Sequence, residues 1–199
     1  MDIKTNSYDV LIAYFKTYVP LNKLERNEIL GRFVERKIKR RGFILQQGEV
    51  CVNFSFIVSG CLKMYAVDPN GREHNLQFAA EHDWMTDLSS FYSEKPSQLY
   101  IEAVEPSIIM QIRHSDLLFL YFHYHKFDRN FRIMIERKYI KLQDRILKNI
   151  SSTAEERYQY FLEQYPDLSN RLPNTQIASY LGITPEFLSK VRNSQNKKS

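Results

Sequence analysis

The sequence predicts an α+β protein with an N-terminal antiparallel β-roll (a jelly roll), one long helix and a small C-terminal all-α domain. Three observations predict this order. Short apolar segments separated by turn residues fill residues 38–113, a helical period returns at residue 115, and residues 174–192 have the spacing of a helix-turn-helix. A chain of 199 residues is long enough for such a roll and a second, smaller domain.

The N-terminal part, residues 7–36, has apolar residues near helical spacing. Pro20 interrupts this pattern, because proline lacks the backbone donor that a helix interior needs. We therefore expect two helices before the first strand.

The following region is predicted to be an antiparallel sheet structure. Asn70-Gly71 lies between two apolar segments, and both residues tolerate the positive φ of a tight hairpin turn. Several short strands at this spacing are typical of a closed roll. The predicted strand segments are FILQ, FSFIVSG, CLKMYAV, HNLQFAA, LYIEAV and SIIMQI.

A long helix is predicted next, and it divides the chain into residues 1–126, 127–150 and 151–199. The helix is apolar on two faces, one containing Phe131 and Ile135 and the other Ile140 and Leu147. One face is expected to pack on the roll and the other to meet a second copy of the chain in a homodimer. Replacing Phe131 and Ile135 with charged residues should then convert the dimer to a monomer. The alternative is a helix buried within one chain.

The segment 174–192 fits a helix-turn-helix position by position. Ile177 and Leu181 give the first helix one apolar face, and Gly182 stands at the turn, where a positive φ is needed. Thr184 is placed to cap the second helix, with Pro185 in its first turn. The second helix, about residues 184–194, is the predicted recognition helix.

Outward-facing residues of this segment are the candidate DNA contacts. Glu186 is suited to accept from cytosine, and Lys190 to donate to guanine or phosphate. Arg192 and the start of the first helix are expected at phosphates. The full candidate set is Thr175, Gln176, Thr184, Glu186, Ser189, Lys190 and Arg192.

The charge distribution also indicates the C-terminal part of the chain as the part that binds DNA. Residues 1–125 contain 14 Lys and Arg against 15 Asp and Glu, whereas residues 126–199 contain 14 against 8. The excess positive charge therefore coincides with the helix-turn-helix, as expected for a surface that meets phosphates.

Other classes of protein are disfavoured. The sequence has no apparent signal peptide, no membrane span and no HExxH, P-loop or nucleophile elbow, so we expect a cytoplasmic protein that is not an enzyme. Cys51 and Cys61 lie in apolar segments without CxxC spacing and are expected to be small buried residues, with no metal or cofactor.

With these motifs, nearly the whole chain resembles the Crp/Fnr family of transcription regulators. The resemblance rests on the turns at Gly48-Glu49 and Ser59-Gly60, the Asn70-Gly71 hairpin, Trp84–Leu88 with Pro96-Ser97, and the segment IASYLGITPEFLSKVR. It implies a cyclic-nucleotide-binding-type roll, a dimerisation helix and a helix-turn-helix that binds double-stranded DNA. RNA polymerase is a further partner that the resemblance suggests.

The sequence departs from that family at two places. Nucleotide-binding members carry a Gly-Glu pair for the ribose and an Arg-Ser pair for the cyclic phosphate, where this chain has Thr86-Asp87 and Pro96-Ser97. Asp87 and Ser97 remain candidate effector contacts, but cyclic AMP is not expected without the arginine. The wing that usually follows the recognition helix in that family is expected to be absent or reduced, with Lys197 and Lys198 replacing it in part.

The expected function is a homodimeric DNA-binding transcription regulator that reads a palindromic operator, controlled by an unknown small effector if by any. The alternative is a ligand-sensing β-roll protein that has lost DNA binding and acts through protein contacts. Binding to random duplex DNA at two salt concentrations separates the two, because phosphate contacts depend strongly on salt.

Overall fold

The computed structural model describes residues 6–18 and 20–196. Within these ranges the chain forms eight strands: β1 (Val34–Ile38), β2 (Phe43–Leu45), β3 (Asn53–Ser59), β4 (Leu62–Val67), β5 (Glu73–Ala79), β6 (Trp84–Met85), β7 (Tyr100–Ala103) and β8 (Ser107–Arg113). The same ranges contain nine helices: α1 (Ser7–Lys16), α2 (Lys23–Arg32), α3 (Leu88–Ser93), α4 (His114–His123), α5 (His125–Ser151), α6 (Ala154–Gln164), α7 (Leu168–Arg171), α8 (Asn174–Leu181) and α9 (Pro185–Asn196).

The chain folds into two compact units. The first contains the described residues up to Ala66 together with Gln77–Met134, and the second contains Val67–Leu76 and the described residues from Ile135 onward. The turn between β4 and β5 thus belongs to the same unit as the C-terminal helices.

The strands form two four-stranded sheets, with the orders β1-β8-β3-β6 and β2-β7-β4-β5. Strand β8 pairs antiparallel with β1 and β3, and β7 pairs antiparallel with β2 and β4. The predicted α+β architecture, with an antiparallel β-roll before a long helix and C-terminal helices, is confirmed.

An aromatic cluster around Trp84 forms the core of the first unit. The Trp84 ring lies with its centroid 5.0 Å from that of Phe56, 5.5 Å from Phe54 and 5.2 Å from Phe131. All four side chains are at most 3% exposed. Tilted and edge-to-face ring pairs of this kind stabilise a core beyond the area they bury.

Gly60 allows the tight connection between β3 and β4. Its φ is +96°, and a Cβ atom placed there would lie 2.7 Å from the Cα of Ser107. Only glycine fits both the backbone conformation and the close approach of the neighbouring strand.

The N-terminal helical region ends earlier than the sequence predicts. Pro20 separates α1 from α2 as expected, but α2 ends at Arg32 and strand β1 begins at Val34, so the helical prediction is wrong for residues 34–36. The exposed side chains of β1 give no apolar alternation, and the strand exists because its backbone pairs with β8. Tertiary pairing overrides local preference here.

The second unit contains the predicted helices after α5. Thr153 caps α6 through a capping box, in which its hydroxyl accepts from the Glu156 N–H (3.3 Å) and its own N–H donates to the Glu156 carboxylate (2.8 Å). The apolar residues between these helices are buried, namely Tyr158, Phe161, Ile177, Ala178, Leu181, Leu188 and Val191.

Candidate nucleic-acid interface

Helices α8 and α9 form the predicted helix-turn-helix. Gly182 has a φ of +68°, as predicted for the turn. Its N–H donates to the carbonyl of Ser179 (3.3 Å), and the N–H of Ile183 donates to the carbonyl of Ala178 (3.0 Å). This pair of hydrogen bonds is a Schellman motif, which ends α8 and fixes the direction in which the chain enters α9.

The first turn of α9 is capped as predicted. The hydroxyl of Thr184 accepts a hydrogen bond from the N–H of Phe187 (3.2 Å), and Pro185 is the first residue of the helix. The N–H of Glu186 itself and the hydroxyl of Thr184 donate to the Glu186 carboxylate and hold its pKa below the usual range of glutamate. Glu186 is therefore ionised at neutral pH.

An exposed polar stripe follows α9. Glu186, Lys190 and Asn193 are spaced i, i+4 and i+7, and all three are exposed, while Leu188 and Val191 are buried on the opposite side. Ser189 is also exposed, although its hydroxyl donates to the carbonyl of Pro185 (3.0 Å). The structure thus brings Glu186, Ser189 and Lys190 onto one exposed surface of α9, whereas Arg192 is half-buried and lies off this surface.

Two residues of this surface were missed by the sequence reasoning. Asn193 continues the stripe by one turn, and the helical period from Glu186 and Lys190 was a sufficient signal for it. Phe187 is 42% exposed beside Glu186, and an apolar side chain carries no sequence signal for a polar DNA contact.

The remaining candidates lie around the start of α8. Thr175 is exposed, whereas Gln176 is half-buried. The guanidinium of Arg192 donates to the side-chain oxygen of Asn174, and this hydrogen bond joins α9 to the first turn of α8. No strand follows α9 in the part of the chain that the structure describes, and the predicted tail contacts Lys197 and Lys198 lie outside those residues.

The two effector candidates lie together in the first unit. The Asp87 carboxylate caps α3 by accepting from the Ser89 N–H (3.0 Å), and its second oxygen accepts from the Ser97 hydroxyl (2.7 Å). Ser97 also accepts from the Leu99 N–H (2.9 Å). Both oxygens of the buried carboxylate are engaged by the chain itself.

Helix α5 carries exposed apolar residues only in its second half. Phe131 is 3% exposed and its ring contacts Phe15, Phe54, Trp84 and Tyr121 of the same chain. Phe131 is therefore a core residue, and the expectation that it lies at a dimer interface is wrong. The exposed apolar side chains are Tyr139, Ile140, Leu142, Ile146, Leu147 and Ile150.

Cys51 and Cys61 are buried free thiols, as predicted. Among the described residues, no three or more His, Cys, Asp or Glu side chains are grouped to hold a metal ion. No helix in the described ranges combines the length and the apolar character needed to cross a membrane.

Comparison with known proteins gives a domain and a fold. Residues 35–124 match the model of the cyclic nucleotide-binding domain. No curated protein matches the chain significantly. FixK2 from Bradyrhizobium japonicum superposes with a TM-score of 0.74 at 19% identity, covering 83% of this chain and 85% of that one.

Two further solved structures have the same fold. A chain from Eubacterium rectale, assigned to the crp/fnr family of transcriptional regulators, gives a TM-score of 0.70 at 18% identity and covers 93% of this chain and 88% of that one. The c-di-GMP-responsive global regulator CLP from Xanthomonas campestris gives 0.68 at 12% identity, covering 86% and 90%. Residues 35–124 are therefore similar to a cyclic nucleotide-binding domain, and the chain has the fold of the Crp/Fnr transcription regulators.

Proposed function

We propose that this chain is a DNA-binding transcription regulator of the Crp/Fnr type that binds a palindromic operator as a homodimer. The observation that carries the proposal is the capped α9, which presents Glu186 and Lys190 on one exposed surface. A side chain in the first turns of such a helix reaches base edges in the major groove.

The proposal assigns a role to each part of the chain. Residues 1–126 form the sensor domain, residues 127–150 the dimerisation helix and residues 151–199 the DNA-binding domain. The protein acts in the cytoplasm, with double-stranded DNA as its partner and RNA polymerase as a further one. The exposed apolar residues in the second half of α5 support dimerisation, because a patch of this kind usually meets another protein surface.

Each candidate residue has a physical role at the DNA. Glu186 accepts a hydrogen bond from the amino group of cytosine, and Lys190 donates to guanine or to a phosphate. Thr175 and Gln176 approach a phosphate from the first turn of α8, and Thr184 and Ser189 place hydroxyl groups beside the groove. The hydroxyls and the amide position the helix, whereas Glu186 selects sequence.

The experiment compares Glu186→Ala with Arg192→Ala after selecting the preferred operator from random duplexes. Glu186→Ala should relax the base preference at one position per half-site, at a cost on the order of 1–3 kcal/mol for the preferred sequence. Arg192→Ala should weaken all sequences about equally and lower the salt slope by about one unit per half-site.

Two results contradict this assignment. An unchanged selected sequence for Glu186→Ala means that α9 docks differently on the DNA. Failure of the unmodified protein to bind any duplex at low salt rejects the proposed function and favours a sensor that acts through protein contacts.

The effector of this regulator is proposed to be something other than cyclic AMP. Pro96 stands where an arginine would pair with the phosphate, and the Asp87 carboxylate already accepts two hydrogen bonds from the chain. A buried phosphate without a cationic partner is strongly disfavoured. Calorimetric titration with millimolar cyclic AMP should show no binding, and a micromolar dissociation constant contradicts this prediction.

A further inference from the structure

Phe187 places an apolar ring on the polar side of α9. Leu188 and Val191 of the same helix are at most 1% exposed, whereas Phe187 is 42% exposed. Its neighbours on the exposed side are Glu186 and Lys190, which carry opposite charges. The ring is therefore the apolar part of a surface that is otherwise polar.

The backbone hydrogen bonds that cap α9 fix the position of this residue. The N–H of Phe187 donates to the hydroxyl of Thr184 (3.2 Å), and the N–H of Leu188 donates to the carbonyl of Thr184 (3.0 Å). Phe187 thus lies in the first turn of α9, which is the turn that approaches base edges in a recognition helix. Successive residues are about 100° apart around a helix, so Phe187 and Glu186 occupy adjacent places on the surface.

The Phe187 ring has no part in the aromatic core of the second unit. Phe161 of α6, which does belong to that core, is 1% exposed. Its ring centroid lies 6.4 Å from that of Tyr158, 5.4 Å from Tyr165 and 5.6 Å from Tyr180. Phe187 contacts no other aromatic ring in the part of the chain that the structure describes. Its exposed surface stays in water until a ligand covers it, and covering apolar surface is favourable.

Duplex DNA offers such a ring one apolar group. The base edges in the major groove present hydrogen-bond donors and acceptors, except for the C5-methyl group of thymine, which makes only apolar contacts. Phenylalanine is one of the side chains that make this contact. Resting on the proposed function, we propose that Phe187 reads a thymine methyl in the base pair next to the one that Glu186 reads.

This contact has a different physical signature from the phosphate contacts proposed for the same helix. Lys190 and Arg192 carry positive charges, and a phosphate contact made by either depends strongly on salt. Phe187 neutralises no phosphate, so its contribution should be the same at low and at high salt. A loss of affinity that depends on the thymine methyl and leaves the salt slope unchanged is therefore specific to this residue.

The first test uses the unmodified protein and removes the methyl from the DNA. Each thymine of the selected operator is replaced in turn by deoxyuridine, which keeps the base pair and lacks only the methyl. The sensitive thymine should adjoin the base pair at which Glu186→Ala relaxes the preference. A buried methyl contributes about 0.8 kcal/mol, so replacement in one half-site should weaken binding about fourfold, and in both half-sites about sixteenfold.

The second test removes the ring. Phe187→Ala should bind the thymine operator more weakly than the unmodified protein, with the same salt slope, and should bind the thymine and deoxyuridine duplexes equally well. Circular dichroism should show an unchanged helix content, because Leu188 and Val191 keep the packing of α9. The matched control is Phe122→Ala, which removes a ring that is 78% exposed on α4 and should keep the full sensitivity to the methyl.

A reciprocal test returns the methyl on a different base. The sensitive thymine is replaced by cytosine or by 5-methylcytosine, with guanine opposite in both duplexes, so that the two differ only in the methyl. The unmodified protein should bind the 5-methylcytosine duplex about fourfold more tightly per half-site, and Phe187→Ala should bind both equally.

The outcomes separate the methyl contact from the function on which it rests. Operator binding that is insensitive to every deoxyuridine, or a sensitivity that folded Phe187→Ala retains, overturns the role of Phe187 while the proposed function stands. Sensitivity only at a thymine that does not adjoin the base pair read by Glu186 overturns it as well. Absence of binding by the unmodified protein to any duplex at low salt rejects the proposed function, and the methyl contact with it.

Discussion

The two halves of α5 are both rich in apolar residues, and they differ in what covers those residues. In the first half, Phe127 and Phe131 are at most 3% exposed because the aromatic core of the first unit packs around them. In the second half, Leu147 is 61% and Ile150 79% exposed. Apolar periodicity therefore identifies a helix face that must be buried, but it does not say whether the same chain or a second copy buries it.

The largest effect expected from this comparison is the loss of the homodimer in the double substitution Leu142→Glu and Ile146→Glu. Leu142 and Ile146 are each 50% exposed, so covering the exposed part of each stabilises an interface by about 0.8–1.5 kcal/mol, and a dimer contains four such side chains. Lost burial alone should therefore make dissociation easier by about 3–6 kcal/mol, and the unpaired glutamate charges add to this effect. Light scattering should report a monomer, while circular dichroism should report an unchanged helix content.

The control for that experiment is Lys141→Glu, an acidic substitution at an exposed position away from Leu142 and Ile146 on the helix. It should leave the dimer intact. A dimer that survives the double substitution shows that the interface lies elsewhere, and the comparison between the two halves then loses its explanation.

A smaller effect is expected from Phe131→Ala in the first half of α5. Removal of a buried phenylalanine ring costs about 3–5 kcal/mol, since the surrounding aromatic rings fill the cavity only partly. Tyr139→Ala, at a position 60% exposed, should change the free energy of unfolding of the monomer by no more than about 0.5 kcal/mol. Urea unfolding of both variants in the monomeric background measures the difference, and equal values would contradict the assignment of Phe131 to the core.

The smallest effect on stability is expected at the start of α6, directly after the exposed second half of α5. Helix α6 begins with its own capping box, so Thr153→Ala should destabilise the second unit by about 1 kcal/mol without changing the dimer. Thermal unfolding followed at several protein concentrations separates the two properties. A concentration-dependent loss would show that Thr153 supports the interface rather than the helix.

The effect of this cap also depends on pH. Hydrogen bonds from the backbone N–H and then the hydroxyl of Thr153 hold the pKa of Glu156 below its usual range. A carboxylate with a lowered pKa stabilises the folded state above its unfolded pKa, and that contribution is lost as the pH falls through the folded pKa. The difference between Thr153→Ala and the unmodified protein should therefore shrink at acid pH.

Local sequence signals predicted the parts of the fold that have local causes. The hairpin at Asn70-Gly71 and the turn at Gly182 each depend on a few neighbouring residues. Strand β1 was missed because its side chains are exposed and its partner β8 lies far along the chain. Strand β6 has only two residues, which is too short for any periodicity.

The candidate site follows the same rule. Glu186 and Lys190 were predicted because one helical turn relates them. The contact between Asn75 and Ser179 joins residues 104 positions apart, and no pattern in the sequence links them. The hydrogen bond between Arg192 and Asn174 was missed for the same reason, since both residues look like ordinary polar surface positions.

The aromatic core of the first unit gives the protein a selective optical reporter. Trp84 is the single tryptophan in the sequence and is 1% exposed among phenylalanine rings. Its emission should be blue-shifted in the native state and should move to longer wavelength when the first unit opens. Because α8 and α9 contain no tryptophan, tryptophan fluorescence follows the first unit alone, and a labelled DNA duplex tests binding by α9 in the same sample.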